Sequence, residues 1–385
     1  MITPNPISTV SKLVFAFLLA AIIPSVAGAA TPPAQSWEIP ITGPVNMGAG
    51  WPSMDVAVDP ADNSFVLTNH TTVGAQQCLT VQKYDSSQTL MWTRTHFGTA
   101  GCTLEAGKAV AIDSNGDIVV AGRAQYAATS FDWIILKYDS NGNLLGSTTF
   151  GNAGASDDQA YAVAIDPVEH AIVVSGTQST FPMKIIRYNS TLSAKVWQKS
   201  PGYFVSYAVG IDPNGDVLVV GTEQPVSNYN WRIIRYKNDG TLIRTYNYTA
   251  GGGADSAHAI TIDPVTGDYY LGGRGNTLVN VSWLVRKYTN ADVLVWSTSW
   301  TSPGNYTDEL WDLVLDTCGR LITVGSTAAA GGAVSWMAQE YCPSNGDIIW
   351  TRTFAAFAAN DAQAWGIAVD TTGKTEQHHS NCHTW

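Results

Sequence analysis

The sequence has few charged residues, and few of these are basic. Asp, Glu, Lys and Arg make up 13% of the 385 residues, and 20 Lys and Arg stand against 31 Asp and Glu. An average soluble domain carries about 25% charged residues. Because the chain has no cluster of Lys or Arg that could neutralise phosphates, we expect no nucleic-acid partner.

Long apolar runs are missing after the N-terminus. Residues 1–30 combine a lone Lys12, an apolar stretch at 13–26 and a small-residue end at 27–30, which is the pattern of a cleaved secretory signal peptide. No later stretch reaches the roughly 18 unbroken apolar residues that a membrane span needs. We therefore expect a secreted protein, extracellular or periplasmic, without a membrane span.

Recognised catalytic motifs are also absent. The chain contains no G-x-S-x-G, H-E-x-x-H or C-x-x-C motif and no phosphate-binding loop. No histidine before the C-terminal tail has an acidic residue at a useful spacing. We therefore assign no catalytic residue, and a binding protein is favoured over an enzyme.

What the sequence does contain is a repeat of about fifty residues. An aspartate that ends an apolar run recurs at gaps of 54, 53, 46, 51, 53 and 54 residues. These repeat aspartates are Asp59, Asp113, Asp166, Asp212, Asp263, Asp316 and Asp370. A tyrosine follows each of the first six after 22 to 25 residues. Such a period indicates a propeller or a solenoid.

Each repeat predicts four short antiparallel strands. In the copy at 109–150, two Asn-Gly turns separate β-rich runs, and Gly supplies the positive φ that such turns need. The first two strands are almost continuously apolar, so both of their faces must be covered. Glycines near the end of the second strand fit a crowded turn beside a central channel; they are Gly122, Gly176, Gly221, Gly273 and Gly325. We predict an all-β fold, a β-propeller.

The two ends of the chain predict one further, incomplete blade. Residues 36–42 match the fourth-strand pattern, and the segment from Trp365 supplies a first strand with no second strand after it. We therefore expect six complete blades and a partial seventh blade formed by both termini. The predicted order is a signal peptide (1–30), an N-terminal segment with the closing outer strand (31–50), the propeller repeats (51–370) and an atypical tail (371–385), disordered or a truncated blade.

Three segments share a longer pattern. They are AVAIDSNGDIVVAG from Ala109, LKYDSNGNLLGSTTFG from Leu136 and QKYDSSQTLMWTRTHFG from Gln82. They resemble the seven-bladed β-propeller repeat of secreted bacterial proteins, and the resemblance covers about residues 36–373. EYCPSNGDIIW from Glu340 also resembles the tryptophan-docking motif of quinoprotein propellers, which is structural. The resemblance implies the fold and carries no catalytic residue with it.

Candidate ligand-binding residues precede the first strands. An acidic residue stands eight places before the repeat aspartate in four units and nine places before it in the last. These residues are Glu105, Asp158, Asp255, Asp308 and Asp361. They could ring one mouth of the channel and attract a cation or a cationic ligand, or each could accept backbone N–H bonds in its own blade connection. Trp311 and Trp365, at the entry to first strands, could face a ligand or pack in the core.

The repeat aspartates and the fourth-strand tryptophans have structural explanations. Calcium is compatible with the oxygen-rich turns, but the distant Glu of a full calcium loop is missing, so capping of the hairpin explains the aspartates. We therefore predict no cofactor, with calcium as the open alternative. Trp92, Trp197, Trp296 and Trp350 are expected to pack between blades.

Five cysteines in an exported chain permit disulfides. Strand alternation places Cys78 and Cys102 on one face of the ring, and Cys318 and Cys342 on the other. We predict these two bonds, with Cys382 unpaired, and buried free thiols are the alternative. The tail residues His378, His379, Cys382 and His383 are spaced like metal ligands, but a frayed tail explains them as well.

Together these features predict a secreted propeller that acts as a non-catalytic binding or protein-interaction module. Its loops at the channel mouth would bind an unknown protein or carbohydrate ligand. One alternative is a hydrolase or lyase acting on a sugar or lactone with a divalent ion at the channel mouth. Another is a structural surface protein.

Overall fold

The computed structural model describes residues 55–71, 77–96, 105–127, 130–151, 157–178, 183–223, 229–250, 253–277, 280–303, 307–328, 334–354 and 364–369. Every regular element within these ranges is a β-strand. The described ranges contain no helix that is long and apolar enough to cross a membrane. The predicted signal peptide, the closing strand at 36–42, Cys102, Asp361 and the tail lie outside the described residues.

The strands form six antiparallel sheets of four consecutive strands each. Blade 1 contains β1 Asp55–Val58, β2 Ser64–Thr71, β3 Gln77–Tyr84 and β4 Leu90–Thr95. Blade 2 contains β5 Ala106–Ile112, β6 Ile118–Ala127, β7 Ser130–Tyr138 and β8 Leu144–Phe150. Blade 3 contains β9 Gln159–Ile165, β10 Ile172–Thr177, β11 Met183–Tyr188 and β12 Lys195–Lys199.

The other three blades repeat this order. Blade 4 contains β13 Phe204–Ile211, β14 Val217–Glu223, β15 Asn230–Tyr236 and β16 Leu242–Tyr248. Blade 5 contains β17 Ser256–Ile262, β18 Tyr269–Thr277, β19 Asn280–Tyr288 and β20 Leu294–Trp300. Blade 6 contains β21 Glu309–Leu315, β22 Leu321–Ala328, β23 Val334–Tyr341 and β24 Ile348–Phe354.

The blades pack in sequence, with their first strands innermost. Each first strand contacts the first strand of the next blade, from β1 through β21. The apolar core lies between neighbouring sheets: Val119 and Ile135 of blade 2 pack with Ile172 and Ile186 of blade 3. All four side chains are fully buried. Each Å² of apolar surface removed from water stabilises the fold by about 25 cal/mol. The predicted all-β propeller with six four-stranded blades is confirmed.

Residues 364–369 lie beside both ends of this series. The Ile367 N–H donates to Asp312 Oδ2 of β21 over 2.9 Å, and a Cβ atom added to Gly366 would stand 3.3 Å from Asp55 Oδ1 of β1. The segment forms no strand, since a strand requires a ladder partner and the described chain supplies none there. The predicted partial seventh blade is therefore not confirmed.

The repeat aspartates cap the first turn of their blades, as predicted. Asp113 Oδ1 accepts the N–H groups of Asn115 (2.8 Å) and Asp117 (3.0 Å), and Asp212 accepts two N–H groups in the same way. Gly116 completes the turn at φ 77°, a left-handed conformation that favours Gly. We call the end of the propeller that carries these first turns, and the turns between third and fourth strands, the turn face.

In blades 1 to 5, a basic residue beside the repeat tyrosine pairs with an acidic residue of the first turn. Lys137 Nζ lies 3.5 Å from Asp113 and 3.0 Å from Asp117, and it donates to the carbonyl of Ser190 in the next blade (3.1 Å). The corresponding cations of blades 1, 3, 4 and 5 also pair with first-turn acids; they are Lys83, Arg187, Arg235 and Lys287. Blade 6 departs from this pattern, because Glu340 stands at that position.

The fourth-strand tryptophans pack between blades, as predicted. Indole N–H groups of Trp92, Trp197 and Trp296 donate to second-turn carbonyls of the following blade, at 3.3, 2.7 and 3.0 Å. In blade 6, Trp350 donates to the Glu340 carboxylate of its own blade instead. A second set, at the start of third strands, is fully buried and donates to second-strand carbonyls of the next blade; it comprises Trp133, Trp231 and Trp283.

The predicted Cys318–Cys342 disulfide is wrong, because Cys318 carries a thiol. β22 and β23 pair Leu321 with Tyr341, which places the residue before Leu321 opposite Cys342. Cys318 lies further round the β21–β22 turn, where its N–H donates to Asp316 Oδ1 (2.9 Å). The Cys78–Cys102 bond stays a prediction, because Cys102 is outside the described residues.

Candidate functional site at the channel mouth

A β-bulge interrupts the inner strands of blades 2 to 6 at the same place. In blade 4, Gly221 pairs with Ser206 while Val220 pairs with Ala208, so Tyr207 is an extra residue. A Cβ atom added to Gly221 would stand 1.9 Å from the Val205 carbonyl oxygen. The recurring second-strand glycines are thus required by the bulge, and not by the crowded turn that we predicted. Bulges re-aim side chains and are common beside functional sites.

The extra residues of the bulges include a continuous row of rings. The five extra residues are Lys108, Tyr161, Tyr207, His258 and Trp311. Each stands five places before its repeat aspartate, and Trp365 has the same spacing. Successive ring centroids lie 6.5, 5.3, 4.6 and 4.5 Å apart from Tyr161 to Trp365. We call Tyr161, Tyr207, His258, Trp311 and Trp365 the aromatic arc. Its members are all half-buried, so each keeps some exposed surface.

His258 has a fixed orientation within the arc. Its Nδ1 lies 2.8 Å from the carbonyl oxygen of Leu310, which can only accept, so Nδ1 carries the proton. Burial lowers the pKa of His258 to about 4. The ring is therefore neutral at pH 7, and its Nε2 offers a lone pair.

A cavity of about 420 Å³ opens beside the arc between blades 4 and 5. Tyr207 lines it together with Tyr203, Phe204, Tyr229 and Arg274. Tyr203 and Tyr229 are 71% and 42% exposed and stand at its rim. The cavity lies at the end of the propeller where first strands begin, which we call the connection face. Its volume is typical of a small-molecule site.

The connection into blade 4 explains why the cavity lies there. Only four residues, 200–203, join β12 to β13, whereas seven to ten join the other described pairs of successive blades. In place of the acidic residue eight positions before the repeat aspartate, blade 4 has Phe204. The short connection leaves room above the Phe204 ring, and Gly202, at φ 98°, turns the chain next to Tyr203.

Arg274 supplies the polar side of the cavity. Its backbone carbonyl accepts the Trp231 indole N–H (2.8 Å), and its Nη1 donates to Glu309 Oε1 (2.7 Å). Its Nε is buried with no hydrogen-bond partner in the described chain. Across the cavity, the hydroxyls of Thr222 and Ser256 lie 2.6 Å apart.

The acidic residues predicted as ligand-binding are fully buried in the connections. Asp255 accepts the N–H groups of Ala250 and Asn276, both over 2.6 Å. Asp308 accepts the Ser302 N–H (2.7 Å) and the Thr327 hydroxyl (2.8 Å). This is the geometry of the alternative in which carboxylates serve their own connections. Burial raises the pKa of Asp255 and of Asp308.

Glu105 and Asp158 are equally buried. Glu105 Oε2 lies 3.1 Å from His96 Nδ1, so the expectation that no repeat-region histidine has a useful acidic neighbour was wrong. Asp158 donates its backbone N–H to the Phe131 carbonyl (2.7 Å). Among the described residues, no three His, Cys, Asp or Glu side chains are grouped as a metal site requires.

Two buried carboxyls stand at the two ends of the blade series. Asp55 Oδ2 accepts the Val110 N–H (2.9 Å), and Asp312 accepts the Ile367 N–H (2.9 Å). Burial raises the pKa of Asp55 to about 6. Burial and the neighbouring charge of Asp55 raise the pKa of Asp312 to about 8. The pair therefore retains a proton near neutral pH.

The structure thus brings the predicted Trp311 and Trp365 together and adds residues that the repeat analysis missed. Tyr161, Tyr207 and His258 share one spacing from the repeat aspartate but differ in type, so a search for recurring residues does not find them. The signal was available, because an aromatic or histidine ring stands five places before the repeat aspartate in these successive units.

Comparisons with known proteins support the fold. Residues 114–144, in blade 2, match the family described as "Domain of unknown function (DUF5122) beta-propeller". No curated protein matches the chain.

Two solved structures are similar in shape. The periplasmic gluconolactonase PpgL of Pseudomonas aeruginosa is 11% identical, with a TM-score of 0.55 over 84% of this chain and 90% of that one. The WD40 propeller domain of Doa1 is 11% identical, with a TM-score of 0.52 over 85% and 88%. At this identity the likeness concerns the fold alone. Fold, repeat and family match agree that the chain is a propeller built from β-propeller repeats.

Proposed function

We propose that this chain is a non-catalytic binding module whose ligand lies across the channel mouth, on the aromatic arc. The observation that carries the proposal is that one structural position, the bulge, holds a ring in blades 3 to 6 while the residue type changes from blade to blade. A residue that serves the repeat would recur unchanged. Exposed aromatic surface contributes large contact area at little cost in conformational entropy.

The binding test uses the chain from residue 31 onward on a glycan and protein array. Trp311→Ala is expected to lower the signal of any ligand about tenfold or more, as removal of a central aromatic contact does. Trp92→Ala is the matched control, because it removes the same side chain on the turn face. Equal binding by the two variants, with circular dichroism showing both folded, would remove the arc from the proposal.

A second function, hydrolysis or lysis of a sugar or lactone, is favoured by one observation. Neutral His258, oriented by the Leu310 carbonyl, offers Nε2 as a general base beside the cavity. PpgL is named a gluconolactonase, and glucono-δ-lactone is therefore the first substrate to assay. If the wild type opens the lactone and His258→Ala does not, the enzymatic proposal replaces the binding proposal.

The divalent ion of that enzymatic version has its own test. Calcium is added while thermal unfolding is followed, and a rise in melting temperature that saturates is the expected sign of a site. If calcium, magnesium and manganese all leave the melting temperature unchanged, the enzymatic alternative is reduced to a lactonase that works without a metal ion.

Export and completion of the ring belong to the same proposal. We infer that residues 1–30 direct secretion, and that residues 36–42 and the segment from Trp365 contribute to a seventh blade. Cleavage near residue 30, read by N-terminal sequencing of the exported protein, would support the first. Unchanged stability after deletion of residues 31–50 would refute the second, because a closing outer strand contributes to the whole ring.

A further inference from the structure

The cavity between blades 4 and 5 has aromatic walls of unusual exposure. Among the described residues, Tyr203 and Tyr229 are the exposed large apolar side chains that are aromatic, and both line this cavity. Phe204, fully buried, lines it as well. Flat rings on several sides suit a ligand that has apolar C–H faces.

The charged groups at the cavity are one cation, Arg274, and two carboxylates, Glu309 and Asp255. The Arg274 guanidinium is neutralised by Glu309, 2.7 Å away. Both oxygens of Asp255 are occupied by backbone N–H groups, so this carboxylate is held by the connection. An anionic ligand would approach Glu309 and Asp255, and a cationic ligand would approach Arg274. A neutral ligand meets neither repulsion.

Two hydrogen-bonding features of the cavity remain available to a ligand. The Arg274 Nε–H is buried without a partner, and a buried donor left unsatisfied costs about 1–3 kcal/mol. In the Thr222 and Ser256 pair one hydroxyl donates to the other, and Ser256 also bonds to the Tyr207 hydroxyl, which leaves lone pairs for further bonds. Hydroxyl groups of a ligand, which both donate and accept, match this set.

We infer that this cavity binds one neutral pyranose ring, the terminal or a protruding sugar of a glycan. The C–H faces of the sugar stack on Tyr203 and Tyr229, and its hydroxyls bond to Arg274 Nε and to the Thr222 and Ser256 pair. The cavity volume of about 420 Å³ lies within the range of small-ligand sites. The inference deepens the proposed binding function, because Tyr207 belongs to both the cavity and the arc.

The test is saturation-transfer-difference NMR of the chain from residue 31 onward, with the methyl glycosides of D-glucose, D-galactose and D-mannose as neutral probes and methyl D-glucuronide as the anionic probe. At least one neutral glycoside is expected to receive saturation at its ring C–H protons. The double variant Tyr203→Ala, Tyr229→Ala is expected to lower that signal at least fivefold. Both side chains are exposed, so their removal leaves the core intact.

The matched control is Leu144→Ala, Leu145→Ala, which removes two exposed side chains from the outer strand of blade 2, each 54% exposed. Its signal should equal that of the wild type. No transfer to any neutral glycoside, transfer to the glucuronide that is as strong or stronger, or an unchanged signal in the tyrosine variant would each overturn the inference.

The two proposals fail separately. If Trp311→Ala leaves array binding unchanged while the tyrosine variant still loses the glycoside signal, the cavity stands and the role of the arc falls. If Trp311→Ala lowers array binding while no neutral glycoside binds, the arc stands and the sugar assignment falls.

Discussion

The turn face and the connection face of this propeller are built on opposite rules. On the turn face, blades 1 to 5 repeat one arrangement, an acid of the first turn paired with a third-strand cation. On the connection face, the bulge position changes in type around the ring, and one connection is shortened so that a cavity opens. The repeated contacts maintain the fold, and the proposed ligand site rests on the positions that vary.

The two regions also differ in how their acids are compensated. Burial acts to raise the pKa of Asp166, but the Arg187 guanidinium and two backbone N–H groups outweigh it and hold that pKa below its usual value. Asp55 and Asp312 have backbone donors in place of such a cation, and their pKa values are raised. The regions should therefore respond to pH in opposite directions.

The largest expected effect is the pH dependence caused by Asp312. Its pKa rises from about 3.9 in the unfolded chain to about 8 in the folded protein, so the folded state binds the proton more tightly. This stabilisation is complete below about pH 4 and is lost as pH rises towards 8, at a slope of up to about 1.4 kcal/mol per pH unit. Asp312→Asn should remove the part of the slope that Asp312 causes while keeping an acceptor for Ile367.

Urea unfolding at pH 4 to 8 measures this slope in both proteins. The difference between the two curves isolates Asp312, because the lowered pKa of His258 acts in the opposite sense below about pH 6.5. Curves that run parallel would show that Asp312 does not hold the proton.

The next largest effect is expected on the turn face, at the ion pair of Arg187 and Asp166. Arg187 is fully buried and contacts Asp166 at 2.7 Å, so Arg187→Met leaves a buried carboxylate without its cation. We expect a loss of about 3–5 kcal/mol in unfolding free energy, measured by urea unfolding at pH 7. Ligand binding by the remaining folded protein should not change. A loss of affinity without a loss of stability would break the division between the two faces.

Gly221→Ala should affect both regions at once. The new methyl group would meet the Val205 carbonyl oxygen at 1.9 Å, so the bulge must shift, at about 1–3 kcal/mol or more, and Tyr207 with it. The free energy of unfolding and the affinity for the glycoside should both fall. Gly210→Ala in the neighbouring strand β13 is the control, because its near neighbours are the flexible ends of Ile262 and Ile260. Normal glycoside binding by Gly221→Ala would separate the bulge from the site.

The smallest effect concerns Cys318. Cys318→Ser changes a turn side chain and keeps the backbone bond to Asp316, so the free energy of unfolding should move by less than about 0.5 kcal/mol. Asp316→Ala, which removes two backbone bonds from the same turn, should cost more. If Cys318→Ser lowers the free energy of unfolding strongly, and a reducing agent has the same effect on the wild type, the disulfide prediction would be correct after all.

The sequence was sufficient for the features that the repeat enforces. Asp113 and its equivalents recur because the turn needs their side chains, and Trp92, Trp197 and Trp296 recur because each docks on the next blade, so periodicity identified both. Tyr207 and His258 escaped because a site has no reason to repeat its residues. Phe204 escaped for the opposite reason, since it interrupts a recurring acid. The gap of 46 residues between Asp166 and Asp212 marked that interruption.

The cysteine error has a related cause. Alternation of strand faces placed Cys318 and Cys342 at one end of the propeller, but it does not give the register of the neighbouring strands. The ladder between β22 and β23 begins at the pair Leu321 and Tyr341, so Cys318 lies in the turn, three residues before that pair. Pairing across strands requires coordinates, whereas capping within a turn follows from four consecutive residues.

The Asn-Gly turns also bear on how the protein ages. Such dipeptides deamidate when the glycine nitrogen attacks the asparagine side-chain carbonyl and closes a succinimide. Here that nitrogen is engaged: the N–H groups of Gly116, Gly142 and Gly215 each donate to a carbonyl oxygen over 2.9 Å. The geometry that closes each hairpin therefore also holds the attacking atom away from its target, so the folded chain should persist chemically far longer than its unfolded form.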